Sequence, residues 1–304
     1  FKRRRGASIN LGVPLIFMTK TIDTLVEDIY KLFTFDPIDM DEAEVDKHID
    51  TFGEMLKTHV KDFMNETPRD RRGLRLSAIG KPNRQLWYDS RDQTTEDHIQ
   101  PSTRIKFLYG YILEELLLLC ATVSGHTVTD QQRELTLEGV KGHQDSLIDG
   151  VLIDCKSASG RSFDKFKRND LVNDDPFGYI AQISAYAQAN GLSEAGFLVI
   201  DKSTGEICLS KVHSMEMINA SERIKELKEV VEPSSAIPDR CYSAVPDGKS
   251  GNMRLPIGCV YCRHNRECWQ DANQGQGLRT FKYASGKRHL VQVNKTPDVE
   301  EVAY

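Results

Sequence analysis

Two aspartates and a lysine within residues 142–159 (GHQDSLIDGVLIDCKSAS) are spaced so that their geometry follows from counting. Asp149-Gly150 is a two-residue hairpin turn signal between two β-rich runs. With those residues as the loop, Ile148 opposes Val151, Leu147 opposes Leu152, Ser146 opposes Ile153, and Asp145 faces Asp154. Side chains alternate along a strand, so Lys156 shares the face of Asp154, while Val151, Ile153 and Cys155 point to the other. Carboxylates at about 5 Å between Cβ atoms repel, and a divalent metal is the natural compensating charge. A merely solvent-facing hairpin would carry mixed or opposite charges across its strands instead.

A metal needs more than two carboxylates, and Gly110-Tyr111-Ile112-Leu113-Glu114-Glu115 stands before the strands in a helical pattern. Gly110 and Glu114 share a helix face, and a glycine there would let the helix approach the sheet closely. Glu114 is the expected third ligand, with Glu115 the open alternative; one of the two is expected to be exposed, since adjacent helix residues point in different directions. Such hard oxygen donors suit Mg²⁺ or Mn²⁺, and the backbone carbonyl of Cys155 would complete the shell.

The seven cysteines fall into two groups. Cys120, Cys155 and Cys208 lie in apolar or alternating patterns and are expected to pack as small hydrophobes. Cys241, Cys259, Cys262 and Cys268 cluster near the C-terminus, the last three as C-x2-C-x5-C, which indicates a metal site in a reducing, cytoplasmic compartment rather than a disulfide framework. On spacing alone, a structural zinc with Cys241 as fourth ligand is the simplest occupant.

The elements that must position these groups follow from periodicity. Helical patterns cover residues 21–63, 81–88 and 102–123; strand patterns cover 127–137, 143–148 and 151–157; a helix follows over 176–190, then a hairpin over 196–212 and a charged helix over 215–231. A Pro/Gly/Ser-rich connection over 232–256 leads to the cysteines, and the last thirty or so residues are polar enough to be loosely ordered. The expected organisation is an N-terminal extension (1–20), a helical region (21–100), an α/β core (101–232) and a four-cysteine metal-binding region with its tail (233–304). Met18 is a natural start, and the basic-then-apolar opening lacks a signal-peptide cleavage site.

At 304 residues, with 28% charged and 39% hydrophobic residues, the composition is that of an ordinary globular chain. The formal net charge of -5 gives no global field for nucleic acid. Local basic patches at 68–91, which carries Trp87 and Tyr88, and at 161–168 would have to supply it, although each also suits a solvated face. No apolar run is long enough to span a membrane.

In this order, Glu114 after Gly110, Gly142-x-x-Asp145, Ile153-Asp154-Cys155-Lys156 and Gln182-Ile183-Ser184-Ala185-Tyr186 resemble the PD-(D/E)XK nuclease superfamily, in its RecB-like branch, of which phages carry stand-alone relatives. The resemblance spans roughly residues 75–269. It implies a restriction-endonuclease-like core, a mixed central sheet flanked by helices, and a Mg²⁺- or Mn²⁺-dependent DNA nuclease, expected to be an exonuclease acting on ends or single strands. A restriction-type or structure-specific endonuclease, or a non-catalytic nucleic-acid-binding module, are the alternatives, and a second copy or a recombination or replication protein are open partners. Lys156 is then expected to act on the attacking water and the developing charge, and Gln182 and Tyr186 to support the site or contact the nucleic-acid backbone, ordinary helix packing being the competing role. Iron-sulfur nucleases of this branch share the C-terminal cysteine triplet and complete it with an upstream cysteine. The corresponding segment here, Ser77-Ala78-Ile79-Gly80-Lys81-Pro82-Asn83-Arg84, has none. Cys241 would substitute, and a 4Fe-4S cluster stands beside zinc as the expected occupant.

Overall fold

The computed structural model describes residues 20–34, 37–65, 73–92 and 101–303. The expected N-terminal extension, Met18 and the Arg-rich start of the 68–91 patch lie outside these residues. The long N-terminal helical pattern divides into α1 (Leu25–Lys31) and α2 (Glu42–Asn65), with Pro37, which cannot sit inside a helix without breaking its bonding, in the connection. Next come α3 (Asn83–Arg91) and α4 (Pro101–Val123), close to the expected spans.

The strand run after Gly125 is more broken than its pattern suggests. It forms β1 (Val128–Thr129), β2 (Glu134–Leu137), β3 (Val140–His143), β4 (Ser146–Ile148) and β5 (Val151–Ala158). Asp130 and Gln132 have positive φ, which breaks the first strand, and β2 and β3 pair as a separate ribbon. His143 therefore sits opposite Glu134 and is exposed. The basic stretch 161–168 is mostly α5 (Arg161–Lys167), whose Phe163 and Phe166 are buried. Next are α6 (Tyr179–Asn190), β6 (Glu194–Asp201), β7 (Ile207–His213) and α7 (Ala220–Val231), the last capped by Asn219.

The central sheet runs β1-β4-β5-β6-β7, with β5 and β6 parallel and the other pairs antiparallel. It is a mixed sheet between two helical layers. On one face, Leu152, Phe197 and Val199 pack with Ile183 and Tyr186 of α6 and with α5 and α7. On the other, Ile148, Ile153, Cys155 and Leu198 pack against Leu117, Leu118 and Ala121 of α4 and Leu25 and Ile29 of α1.

The C-terminal region is ordered, contrary to expectation. Strands β8 (Val245–Pro246), β9 (Met253–Arg254), β10 (Arg279–Tyr283), β11 (Gly286–Gln292) and β12 (Glu301–Val302) form a second sheet in the order β12-β10-β11-β9-β8. Adjacent residues Leu290 and Val291 are both buried, as are Thr280 and Phe281, so these strands lack the period-two signature of a half-exposed sheet.

Candidate active site

The hairpin closes as counting requires: Ser146 pairs Ile153, Leu147 pairs Leu152 and Ile148 pairs Val151. Asp149 (φ 51°) and Gly150 (φ 81°) supply the two left-handed residues of the turn. Asp149 is held by His126 Nδ1 at 2.6 Å and by the Thr127 amide at 3.0 Å. Asp145, one residue beyond the last pair, leaves the ladder. Its carbonyl accepts from the Gln132 amide, and its carboxylate accepts from the Cys155 amide at 2.7 Å.

Asp154 is buried and receives Gln182 Nε2 on Oδ1 at 3.2 Å. The Lys156 ammonium forms an ion pair with Oδ2, which nevertheless makes no hydrogen bond of good geometry. Glu114 reaches the group from α4, held by Gln132 Nε2 at 2.7 Å. Glu115 is buried and bonded to His59 Nε2 at 3.1 Å, so neither glutamate is exposed and the one in the acidic group is Glu114. Gly110 does not bring the helix close, since a Cβ there would meet nothing within 4 Å. The close approaches are elsewhere. A Cβ on Gly142 would lie 3.0 Å from the Tyr186 ring, and one on Gly80 would lie 2.2 Å from the Gly178 carbonyl oxygen, at the start of α6.

Burial, then the charges of Asp154 and Glu115, push the Glu114 carboxyl up to about 7. Burial, then Asp154 and Glu114, push Asp145 well up. For Lys156, burial disfavours the ammonium, but Asp154 and Asp145 outweigh it and hold its pKa above the ordinary lysine value. Burial above all raises the Tyr186 phenol. Three carboxylates, those of Glu114, Asp145 and Asp154, around the one Lys156 ammonium leave the group short of positive charge, so the donor set fits a divalent cation. Among the described residues, no three His, Cys, Asp or Glu side chains already close around one ion position. The nearest groups are instead held by Lys156, Gln132 and the Cys155 amide.

Sequence reasoning missed Tyr179, whose ring lies 5.4 Å from Lys156 Nζ. Its place three residues before Gln182 on one helix face was the available signal. It also missed Gln132, which no local pattern marks.

Cys120 and Cys155 are buried as expected, and burial pushes the Cys120 thiol up to about 11. Cys241, Cys259, Cys262 and Cys268 line one small cavity together with Arg84, Tyr88, His264 and Trp269. Burial raises Cys259 and Cys262 to about 11. Trp269 hydrogen-bonds the Cys259 sulfur and Arg84 the Cys268 sulfur. Donors aimed at two of the four sulfurs fit an anionic metal-thiolate group.

No family model matches the chain, and no curated protein matches it. Among solved structures, the chain is similar to the protein SSO0001 at 14% identity and a TM-score of 0.38, over 70% of this chain and 93% of that one. It is similar to a phage-related exonuclease from Haemophilus somnus 129PT at 15% identity and a TM-score of 0.36, over 52% and 89%. For an alkaline exonuclease from Laribacter hongkongensis the values are 14% and 0.28, over 51% and 89%.

Proposed function

We propose that this protein is a Mg²⁺- or Mn²⁺-dependent deoxyribonuclease of the PD-(D/E)XK type, acting as an exonuclease. The observation that supports this most is the meeting of Glu114, Asp145, Asp154 and Lys156, with Gln182 on Asp154, beside a hairpin in which Asp145 lies just past the ladder, bonded to the Cys155 amide, and feels the Asp154 charge. A bound divalent ion would screen the phosphate charge and make water a stronger nucleophile at neutral pH. Glu114, Asp145 and Asp154 would hold it. Lys156, kept as an ammonium by its acidic neighbours, would donate to the water or a phosphate oxygen and offset the charge that develops there. Gln182 fixes the Asp154 carboxylate, and Tyr179 fixes the Lys156 side chain by its ring face.

The test is digestion of end-labelled linear DNA by the full chain. Lys156→Ala should lose cleavage while keeping its fold and DNA binding, and chelation should silence the wild type. Closed circular DNA should survive an exonuclease. Binding without cleavage in either metal would instead support the non-catalytic module. We further propose that Cys241, Cys259, Cys262 and Cys268 hold a 4Fe-4S cluster, with structural zinc the other occupant compatible with four thiolates. Iron, sulfide and zinc content of anaerobically purified protein separates the two.

A further inference from the structure

A cavity of about 420 Å³ lies beside α2, α3 and α4, outside the carboxylate group, and two of its wall residues contact side chains next to that group. Ser77 in its wall hydrogen-bonds Tyr186, whose phenol feels Asp154 and Asp145. Tyr111 in its wall is one turn before Glu114 and Glu115 on α4, and stacks on His59, the partner of Glu115 (ring centroids 5.3 Å apart, planes 17° apart).

The lining is unlike the rest of this acidic protein. Among the described residues it carries the cations Arg75, Lys81, Arg104 and Arg263 against the carboxylates Asp62 and Asp89. Phe107 and Tyr111 lie there too, 49% and 45% exposed although large and aromatic. They are four residues apart on one helix, hence on one face and about 6 Å apart along its axis. The Phe107 ring and the Tyr111 face not stacked on His59, at that rise and in a wall where Arg75 and Arg104 stand beside the Lys81 and Arg263 pairs with Asp89, match successive unstacked bases with their phosphates alongside. In a duplex those base faces are covered by their neighbours.

We propose that this cleft is the binding groove for a single DNA strand, with bases stacking on Phe107 and Tyr111 and the strand led past Ser77 toward the carboxylates. The inference rests on the nuclease reading of those carboxylates and deepens it by naming the substrate as unpaired DNA. The α2 helix, which has no buried residue and meets α4 through His59 and through Arg104 over Phe63, forms the outer wall.

The test is fluorescence anisotropy of the full chain in chelator, so that binding is read without cleavage, with a short labelled oligothymidylate and a blunt hairpin duplex carrying the same label. The single strand should bind at least tenfold more tightly than the duplex. Phe107→Ala and Tyr111→Ala should each weaken single-strand binding about tenfold, leave duplex binding where it was, and leave circular dichroism unchanged. Equal affinity for both DNAs, or single-strand affinity that survives both substitutions, would overturn the proposal. The comparison of the two DNAs on the wild type needs no variant to fold. If the single-strand preference and its loss in the variants appear while Mg²⁺ and Mn²⁺ give no digestion, the groove stands and the catalytic reading falls. Digestion without single-strand preference has the opposite meaning.

Discussion

Glu114 carries the clearest pH signature in the molecule. Burial first, then Asp154 and Glu115, raise its pKa from the ordinary 4.5 to about 7. Between those values the folded protein keeps a proton that the unfolded chain has released. Its contribution to stability is complete below about 4.5 and is lost as pH rises through about 7. Asp145 is shifted in the same direction. In chelator, the melting temperature should therefore fall across this window, and Glu114→Gln should flatten the fall; parallel curves for the two proteins would refute the assignment. The acids and Lys156 were legible in the sequence because a two-residue turn makes strand positions a matter of counting. Gln132 on Glu114 and His59 on Glu115 were not, since each contact joins segments whose approach no local pattern records. The exposed glutamate expected beside Glu114 failed for that reason, because α2 covers Glu115.

At the scale of elements, the site is held by contacts between backbones as well as by side chains. The turn after the short 3-10 segment Leu76–Ala78 meets the start of α6 at Gly80 and Gly178, and a Cβ on Gly178 would lie 2.4 Å from Gly80 Cα. Gly178 also has φ +74°, which disfavours any L side chain. Gly178→Ala should cost about 3 kcal/mol by overpacking and backbone strain together, read by urea unfolding. Cleavage at temperatures where the variant is folded should also drop, because α6 carries Tyr179, Gln182 and Tyr186. A loss below about 0.5 kcal/mol would show that the two segments separate freely. The central helices and strands were readable from period, whereas the second sheet was not. Pairs such as Leu290-Val291 are buried on both faces, so alternation never appears there.

At the scale of the whole molecule, α3 ties the cysteine region to the rest of the chain. Asp89 accepts His264 Nε2 at 2.8 Å, Lys81 Nζ at 3.0 Å and Arg263 Nε at 3.2 Å, and Tyr88 stacks on His264. Burial works against the Asp89 carboxylate, but His264 and Lys81 outweigh it and hold its pKa below the usual range. Asp89→Asn should weaken this junction by about 3 kcal/mol. Hydrogen exchange should then rise over residues 259–268 and bound metal should fall, with the central sheet protected as before; unchanged exchange there would show the junction to be dispensable. The sequence pattern left this segment without an upstream cysteine, and the structure puts Arg84 of that segment beside Cys268 instead. Ion pairs through Asp89 and the Arg84 side chain beside Cys268 thus join α3 to the cysteine region.

The two-residue turn at Asp149-Gly150 also bears on the order in which the molecule assembles. A hairpin this short forms within microseconds, long before α4 and α6 can dock from distant sequence. Asp145, just past the ladder, and Asp154 are then brought near each other while neither Gln182 nor the helical layers are in place to screen them. Their repulsion becomes a barrier on the folding route, and a cation that bridges them early would lower it. Stopped-flow refolding should accordingly be faster in millimolar Mg²⁺ than in chelator, and Asp145→Asn should remove the difference; a rate insensitive to Mg²⁺ in the wild type would show that the hairpin closes only after the helices have docked.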